Sequence, residues 1–402
     1  MKSQETAALR VCYFGTYEKE YPGNRVLIEG LRRNGVTVFE CHVSLWEKVP
    51  NKPAEYFSVV SMVPLLFAHI LANLRLLWKL RKVPDFDVLI VGFNGHLDVF
   101  PARLVALFRG CPLVLNPMLS IYDTLVDKQY IKPGGMKARF ILMLERLIVR
   151  LPDAVFLDAD AHFEFFRLML GCPRRKYRQV YFGADDRLFF PRTRKGSDGT
   201  FKVLFYGKFQ QLQGVPYIIK AAKMLEADPT IKLRIIGRGP DSPVVDRLVS
   251  ELRPGNVELI DWVSFQDLQD YVADADVCLG IFGVTDKVNR CIANKVIQAL
   301  AMAKPVITGD CAATRELLVD GEHAVLCELG NPKAIAASVL RLKADSEFCL
   351  RLARNGHELF LDKCSPQAIG ARAKQHLLDI VQEHQGARER RNYDSAFQAL
   401  HR

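Results

Sequence analysis

Residues 294–310, NKVIQALAMAKPVITGD, carry the pattern on which the fold assignment depends. The apolar residues of 296–302 recur at helical spacing, and Pro305 predicts the end of that helix. The run 306–308 predicts a short buried strand. A helix that leads directly into a buried strand is the repeating unit of α/β proteins, so this class is the first expectation.

The polar start of the same stretch is typical of a binding site. Asn294 and Lys295 lie in the first turn of the predicted helix, where unpaired backbone N–H groups favour an anion. Gln298 follows Asn294 by four residues and therefore lies on the same face. The spacing suits a phosphate at the helix start and a sugar hydroxyl one turn further on. An ordinary helix, loop and strand without a ligand is the alternative that the spacing alone leaves open.

Length and composition predict two globular domains. The chain has 402 residues, of which 49% are hydrophobic, so it can bury sizeable cores. Its net charge of +10 points to nucleic acid, an anionic membrane surface or phosphorylated small molecules as partners. No basic run with interleaved aromatic residues and no zinc-finger spacing occurs, so we expect no nucleic-acid partner.

The cysteines indicate a reducing compartment. The chain has 10 of them, scattered along its length and without a Cys-x-x-Cys pair. We therefore expect reduced core cysteines in a cytoplasmic protein, and neither a disulfide framework nor a metal site. The first residues contain no secretory apolar segment and lead directly into a predicted strand.

The first half of the chain begins as a doubly wound sheet. A strand at 11–14 ends at Gly15 and Thr16, a helix follows at 25–33, and a second strand occupies 36–41. Ligands of open α/β sheets bind at the carboxyl ends of the strands. The loop that begins at Gly15 and Thr16 is therefore a candidate anion site, with a solvated loop as the alternative.

Further strands in this half carry polar residues behind them. Strands are predicted at 87–92, 113–116, 154–157 and 180–182. His96 and Asp98 follow the first of these and Asp123 follows the second, which makes all three candidates for catalytic groups near a reacting centre. A surface or structural role is the alternative for each.

The segment 57–82 leaves three interpretations open. Residues 57–74 carry no formal charge, and four basic residues follow at Arg75, Lys79, Arg81 and Lys82. The length reaches the lower limit of a membrane span, although polar residues interrupt it. The second interpretation is an interfacial helix whose basic end meets an anionic membrane. The third is an ordinary helix packed on the sheet.

The second half repeats the α/β pattern after a polar linker. Strands are predicted at 201–206, 232–236, 257–260 and 277–281, and the first is followed by Gly207 and Lys208. We expect two Rossmann-like domains that face each other across a cleft. The predicted bounds are 1–185 for the first domain, 186–200 for the linker, 201–365 for the second domain, and 366–402 for a helical tail that crosses back to the first.

These features resemble the GT-B glycosyltransferases, and the second half resembles the retaining glycosyltransferases of family four. The resemblance runs from the first strand to about residue 380 and is strongest in the second half. The stretches that carry it are FYGKFQQLQGVPYIIKAA (205–222), IIGRGP (235–240), ADADVCLGIF (273–282), the opening 294–310 and RELLVDGEHAVLCELGNP (315–332).

The resemblance implies a donor site in the second domain. Lys208 matches a basic residue that binds the donor diphosphate, whereas Gln213 stands where a second lysine is usual. Arg290 and Gln298 occupy the places of two glutamates that lie eight residues apart. Lys295 is expected to replace the missing lysine charge. The remaining binding residues implied are Gly15, Thr16, Gly207, Gly237 and Asn294.

The implied activity is the transfer of a hexose from a nucleotide-diphosphate sugar to a glycan or a lipid-linked acceptor. The resemblance implies retention, no metal, and no cofactor other than the nucleotide sugar as co-substrate. We expect a cytoplasmic protein that meets an anionic membrane surface peripherally. Because both glutamates are missing, a non-catalytic nucleotide-sugar-binding subunit of a glycan assembly system is the alternative; a sugar-nucleotide epimerase shares the architecture.

Overall fold

The structure is a computed structural model that describes residues 8–45, 59–128, 130–192 and 199–400. Two six-stranded parallel sheets, each covered by helices on both faces, form two domains. The α/β class and the two Rossmann-like domains of the GT-B fold are therefore confirmed.

The first sheet has the strand order β2-β1-β3-β4-β5-β6. Its strands are β1 (Arg10–Gly15), β2 (Thr37–His42), β3 (Val88–Val91), β4 (Leu113–Leu115), β5 (Ala154–Leu157) and β6 (Tyr177–Gln179). Its helices are α1 (Pro22–Arg33), α2 (Val59–Leu80), α3 (Val99–Arg109), α4 (Ile121–Asp127), α5 (Met136–Arg150) and α6 (Asp160–Leu170).

The second sheet has the order β12-β11-β10-β7-β8-β9. Its strands are β7 (Phe201–Tyr206), β8 (Ile231–Ile236), β9 (Val257–Ile260), β10 (Val277–Leu279), β11 (Val306–Gly309) and β12 (Val325–Cys327). The helices that follow are α7 (Val215–Leu225), α8 (Ser242–Leu252), α9 (Phe265–Asp274), α10 (Asn294–Ala301), α11 (Ala312–Leu317), α12 (Pro332–Ala344), α13 (Ser346–Leu359) and α14 (Pro366–Leu400).

The stretch 294–310 forms α10 and β11, as its pattern predicts. All of α10 after Asn294 is buried, because the helix packs under the sheet with its whole circumference in contact with other elements. Ala303 has φ +51°, which turns the chain away from the helix before Pro305. Strand β11 then pairs in parallel with β10 and β12 and lies inside the sheet.

One strand was predicted in the wrong place. The last strand of the first sheet is β6, at Tyr177–Gln179, and not the apolar run 180–182. Val180 donates one more hydrogen bond to the Leu157 carbonyl, at 2.9 Å, and the chain then leaves the sheet. The side chain of Val180 packs with Ile369, so its apolar character serves contacts with the tail.

The uncharged segment after residue 57 forms α2, and residues 57 and 58 lie outside the described residues. One side of α2 packs on the first sheet through Ala72, Leu76 and Leu80. Across the described ranges, no helix combines the length and the apolar character that a membrane span requires.

The tail helix α14 returns to the first domain. Ile369, Ala373, Leu377 and Ile380 enter the core that also holds α1. Gly370 lies so close to the carbonyl group of Gly30 that a Cβ atom would not fit between the two helices. Residues 193–198 of the predicted linker lie outside the described residues.

Candidate functional site

The loops after β7 and β8 touch at the carboxyl edge of the second sheet. Gly207 has φ +145° and Gly237 has φ +139°, which side chains with a Cβ rarely adopt. A Cβ on Gly237 would collide with the carbonyl oxygen of Gly207. The sequence therefore needs both glycines to bring two backbone loops together where ligands of such sheets bind.

Lys295 lies beneath the first of these loops. Its Nζ donates to Oε1 of Gln213 at 2.5 Å and sits 3.6 Å from the centre of the Phe205 ring. A Cβ on Gly207 would lie 2.8 Å from the same nitrogen. Burial lowers the pKa of Lys295 well below its usual value. Three predicted binding residues thus form one cluster around a poorly hydrated nitrogen.

The helix start beside this cluster carries the other two predicted residues. Asn294 is the first residue of α10, and burial raises the pKa of the neighbouring Tyr21 of the first domain to about 12, an effect that the Asn294 side chain opposes. Gln298 is buried, and its Oε1 accepts from the Tyr206 hydroxyl at 3.0 Å. A ribose hydroxyl would therefore have to meet the amide nitrogen of Gln298.

Lysines from both domains meet in front of the second sheet. Lys208 is exposed on the loop after β7. The pKa of Lys128, at the end of α4, is lowered by burial and then by the charges of Lys208 and Lys287. Lys128 and Lys287 were missed by sequence reasoning because no local spacing links them to Lys208. Only the tertiary fold makes one positive region of the three.

Asp123 and Arg290 are brought together and neutralise each other. Nη2 of Arg290 donates to Oδ1 of Asp123 at 2.7 Å across the domain boundary. Lys287 donates to the hydroxyl of Thr124, the neighbour of Asp123 on α4, at 2.9 Å. The guanidinium of Arg290 also lies 4.7 Å from the centre of the Phe165 ring. In this conformation Arg290 contacts Asp123 of α4 and Phe165 of α6 in the other domain. The resemblance had implied that Arg290 belongs to the donor site.

The structure places Asp98, a predicted catalytic residue, inside the fold, and its catalytic role stays a prediction. It is fully buried, and its Oδ2 accepts from the backbone N–H of Thr16 at 2.5 Å and from the Thr16 hydroxyl at 2.9 Å. Asn73 and His69 of α2 approach Oδ1 at 3.3 and 3.4 Å. A Cβ on Gly15 would lie 2.6 Å from the carboxylate. Gly15, Thr16 and Asp98 thus join the loop after β1 to α2.

His96 is also used inside the fold. It is buried, and its Nε2 lies 3.1 Å from the carbonyl oxygen of Leu119. Burial lowers the pKa of His96 to about 4, so the ring is neutral at physiological pH. The contact fixes the loop in which Met118 has φ +60°. His96 therefore positions this loop, and its predicted catalytic role stays a prediction.

Glu145 supports α4 and was not predicted. Its carboxyl group accepts from the Ser120 hydroxyl at 2.8 Å, from Ile121 N–H at 2.7 Å and from Tyr122 N–H at 3.0 Å. Burial raises the pKa of Glu145 to about 7. It therefore fixes the start of the helix that carries Asp123. The signal in the sequence is a single acidic residue inside the apolar and basic helix α5.

No group of three or more His, Cys, Asp or Glu side chains that would suit a metal ion occurs within residues 8–45, 59–128, 130–192 and 199–400. The charges that converge at the second sheet are lysine charges.

Comparison with known proteins agrees with this geometry. Residues 200–345, which hold the Gly207, Gln213 and Lys295 cluster, match the model of the family described as glycosyl transferases group 1. The sucrose-phosphate synthase of Thermosynechococcus elongatus superposes with a TM-score of 0.69 at 16% identity, over 94% of this chain and 100% of that one. The chain has the GT-B fold.

Two further relatives of this GT-B protein have informative names. HepE of Anabaena, solved in complex with UDP, superposes with a TM-score of 0.65 at 14% identity, over 92% of this chain and 100% of HepE. The lipopolysaccharide core biosynthesis glycosyltransferase LpsE of Rhizobium meliloti (strain 1021) is 24% identical over 168 residues, which are 42% of this chain and 46% of LpsE. The chain spans about half the length of the curated relatives it matches, 46% and 56% for two of them.

Proposed function

We propose that this GT-B protein transfers a hexose from a nucleoside-diphosphate sugar to a hydroxyl group of a glycan or a lipid-linked glycan. The observation that carries the proposal is the cluster of Lys295, Gln213 and Gly207 beside the start of α10. A buried amino group beneath a glycine loop suits a diphosphate, since a bound anion favours its charged form and little water competes for it. The complex of HepE with UDP supports a nucleoside diphosphate as the ligand.

In the proposed reaction the bond between the anomeric carbon and the diphosphate oxygen breaks. The nucleoside diphosphate leaves, and the acceptor oxygen forms the new bond and loses its proton. Lys208 and Lys295 would stabilise the charge that develops on the leaving diphosphate, together with the N-terminus of α10. We propose that these groups make a metal unnecessary and that the anomeric configuration is retained, as the family resemblance implies.

The acceptor would approach from the first domain. Asp98 and His96 are buried and engaged, so α4 takes their place as the proposed acceptor side. Asp127, the last residue of α4, has a pKa raised mainly by burial. The pKa of Asp241 in the other domain is raised by burial and then by the charge of Asp127. These two carboxyl groups bring acidic residues of both domains near the lysines, since the charge of Lys287 lowers the pKa of Asp127.

A second candidate is a subunit that binds a nucleotide sugar without transferring the sugar. It is favoured because the two residues that stand in place of the family's glutamates are hydrogen-bonded to other residues of this chain. Arg290 pairs with Asp123, and the Gln298 oxygen accepts from Tyr206. In this reading the site holds the donor while another chain supplies the missing carboxylates.

We propose a cytoplasmic location for the protein, as the cysteine pattern predicts. All 10 cysteines are unpaired, and eight of them are buried: Cys12, Cys41, Cys111, Cys172, Cys278, Cys311, Cys327 and Cys364. Unpaired thiols in a core fit a reducing compartment.

The test is a thermal-shift panel of UDP-, GDP-, ADP- and TDP-sugars followed by product analysis. A ligand that binds the folded protein raises the melting temperature with concentration. We expect one nucleotide to give such a shift, and release of the nucleoside diphosphate when a lipid-linked glycan is added. A shift without release, with any acceptor, would favour the binding subunit. No shift with any nucleotide sugar would contradict both candidates.

A further inference from the structure

Three helices of the first domain expose an unusually apolar surface. Phe108 is 91% exposed and Met136 is 88% exposed, far more than isolated surface residues of their size usually are. The large apolar side chains exposed on α2, α3 and α5 are Leu66, Phe67, Ile70, Leu71, Leu74, Leu77, Trp78, Leu104, Leu107, Phe108, Met136, Phe140, Met143 and Leu147. We call this set the apolar face.

The apolar face belongs to one side of the molecule. The inner residues Leu76 of α2, Val105 of α3 and Ile148 of α5 enter the same core on one side of the first sheet. Helices α1 and α14 cover the opposite side of that sheet. The outer sides of α2, α3 and α5 therefore form one layer that points away from the sheet.

The charge on these helices has a single sign. The three helices contain one acidic residue, Glu145, which is buried under α4. Basic residues accompany the apolar ones on all three helices and directly after α2: Arg75, Lys79, Arg81, Lys82, Arg103, Arg109, Lys137, Arg139, Arg146 and Arg150. Arg103 and Arg109 are paired with Asp153 and Asp85 beside the helices, and the other eight keep the surface basic. The Nζ of Lys82 lies 4.8 Å from the centre of the Trp78 ring, an aromatic and basic pair typical of a membrane interface.

Charge decides between a bilayer and a second copy of the chain as the occupant. Two copies joined through this face would bring basic residues against basic residues, which opposes association. Anionic headgroups instead complement the basic residues while the apolar side chains enter the boundary of the acyl chains. A contiguous apolar surface of this kind marks an interaction site and not an ordinary monomer surface.

We infer that the apolar face of α2, α3 and α5 binds the surface of an anionic bilayer. The sequence pointed to the segment 57–82 alone, whereas the fold adds Phe108 of α3 and Phe140 of α5 to the same layer. The first domain, and with it the proposed acceptor side at α4, would be held at the membrane. The inference stands on the apolar face and does not depend on catalysis.

Flotation with lipid vesicles tests the inference. The full chain is mixed with vesicles of phosphatidylcholine alone, or of phosphatidylcholine and phosphatidylglycerol in equal parts. We expect flotation with the anionic vesicles and a decrease as salt is raised. Phe67→Ser, Phe108→Ser and Phe140→Ser each remove one aromatic ring from a different helix. Each should weaken binding by about tenfold, and the triple variant should not float.

Leu350→Ser is the matched control, since Leu350 is 72% exposed on α13 of the second domain. It should float like the parent, and all variants should keep the parent's melting temperature because each site is on the surface. Absent flotation, or flotation that the three substitutions leave unchanged, would overturn the inference. A parent dimer that the same substitutions dissociate, without vesicle binding, would show that the face binds a second copy instead.

Discussion

The carboxyl edges of the two sheets carry similar polar residues and use them differently. At the first sheet, the carboxylate of Asp98 is enclosed by Thr16, Asn73 and His69. At the second sheet, the nitrogen of Lys295 lies under a glycine loop with Gln213 as its hydrogen-bond acceptor. The first arrangement fixes a loop, whereas the second leaves a buried amino group with one side-chain acceptor beneath a glycine loop.

The difference teaches how to separate a binding site from a structural one at such an edge. Asp98 has several internal donors, which satisfy its oxygens inside the fold. Lys295 has one short hydrogen bond and an aromatic ring for three N–H donors, and burial lowers its pKa. An incompletely satisfied buried charge is typical of functional sites.

The largest expected effect is the loss of stability when Asp98 is removed from the carboxyl edge of the first sheet. Asp98→Ala should lower the free energy of unfolding by about 3 kcal/mol, because it leaves buried donors of Thr16 and Asn73 without an acceptor. Donor affinity of the folded variant should match that of the parent. Denaturant unfolding measures the first quantity and calorimetric titration the second. Asp98→Asn, which keeps one acceptor oxygen, is the milder control; a variant of full stability without donor binding would restore Asp98 to the active site.

The next effect concerns the contact between the two edges. Asp123→Asn and Arg290→Gln should each destabilise the contact between the two domains. The two substitutions should show a coupling energy of about 2 kcal/mol in a double-mutant cycle. The reversed pair, Asp123→Arg with Arg290→Asp, should recover part of the loss. Thermal unfolding of the four proteins gives the coupling. Additive losses would mean that the 2.7 Å contact contributes little.

Lys295→Met should act in the opposite direction to Asp98→Ala. It removes a charge that burial disfavours and keeps the length of the side chain, so the melting temperature should stay unchanged or rise. Donor affinity should fall about tenfold, since one charge near the diphosphate is lost. Melting and titration of the same sample check both. A fall in stability with unchanged donor affinity would make Lys295 a structural residue like Asp98.

The last effect is a change in pH dependence at α4, the helix that joins the edges, and it develops only over a range of pH. The pKa of Glu145 is raised from 4.5 to about 7, so the folded protein holds a proton there that the unfolded chain has lost. The parent's contribution from this group is therefore present at low pH and is lost as pH rises towards 7. Glu145→Gln should lack that slope, so the stability difference in its favour should grow from pH 5 to about pH 7 and then stay constant. A constant difference across this range would contradict the assignment.

The elements of the fold could be predicted because they depend on local patterns. The spacing of apolar residues predicted β7 at Phe201–Tyr206 and β9 at Val257–Ile260 with the bounds that the structure has. The run 180–182 was mistaken for a strand because tail contacts and strand contacts both select apolar side chains. Periodicity cannot distinguish these two partners.

The candidate site could be predicted only where it follows the chain locally. Gly207 and Lys208 end one strand, and Asn294 to Gln298 begin one helix, so their placement at the sheet edge followed from the pattern. The pairing of Asp123 with Arg290 joins residues that are 167 positions apart. Lys128 and Lys287 likewise approach each other only through the packing of α4 against the other domain. Such contacts leave no periodic signal in a single sequence.

The central claim is that the carboxyl edge of the second sheet binds the diphosphate of a nucleotide sugar. The most direct measurement is a calorimetric titration of the nucleotide sugar found in the panel against the parent, Lys208→Ala and Lys232→Ala. Lys232 is an exposed lysine near the start of β8, at the far end of that strand from Gly237. We predict that Lys208→Ala weakens binding at least about tenfold and that Lys232→Ala leaves it unchanged. Equal affinity of Lys208→Ala and the parent would contradict the claim.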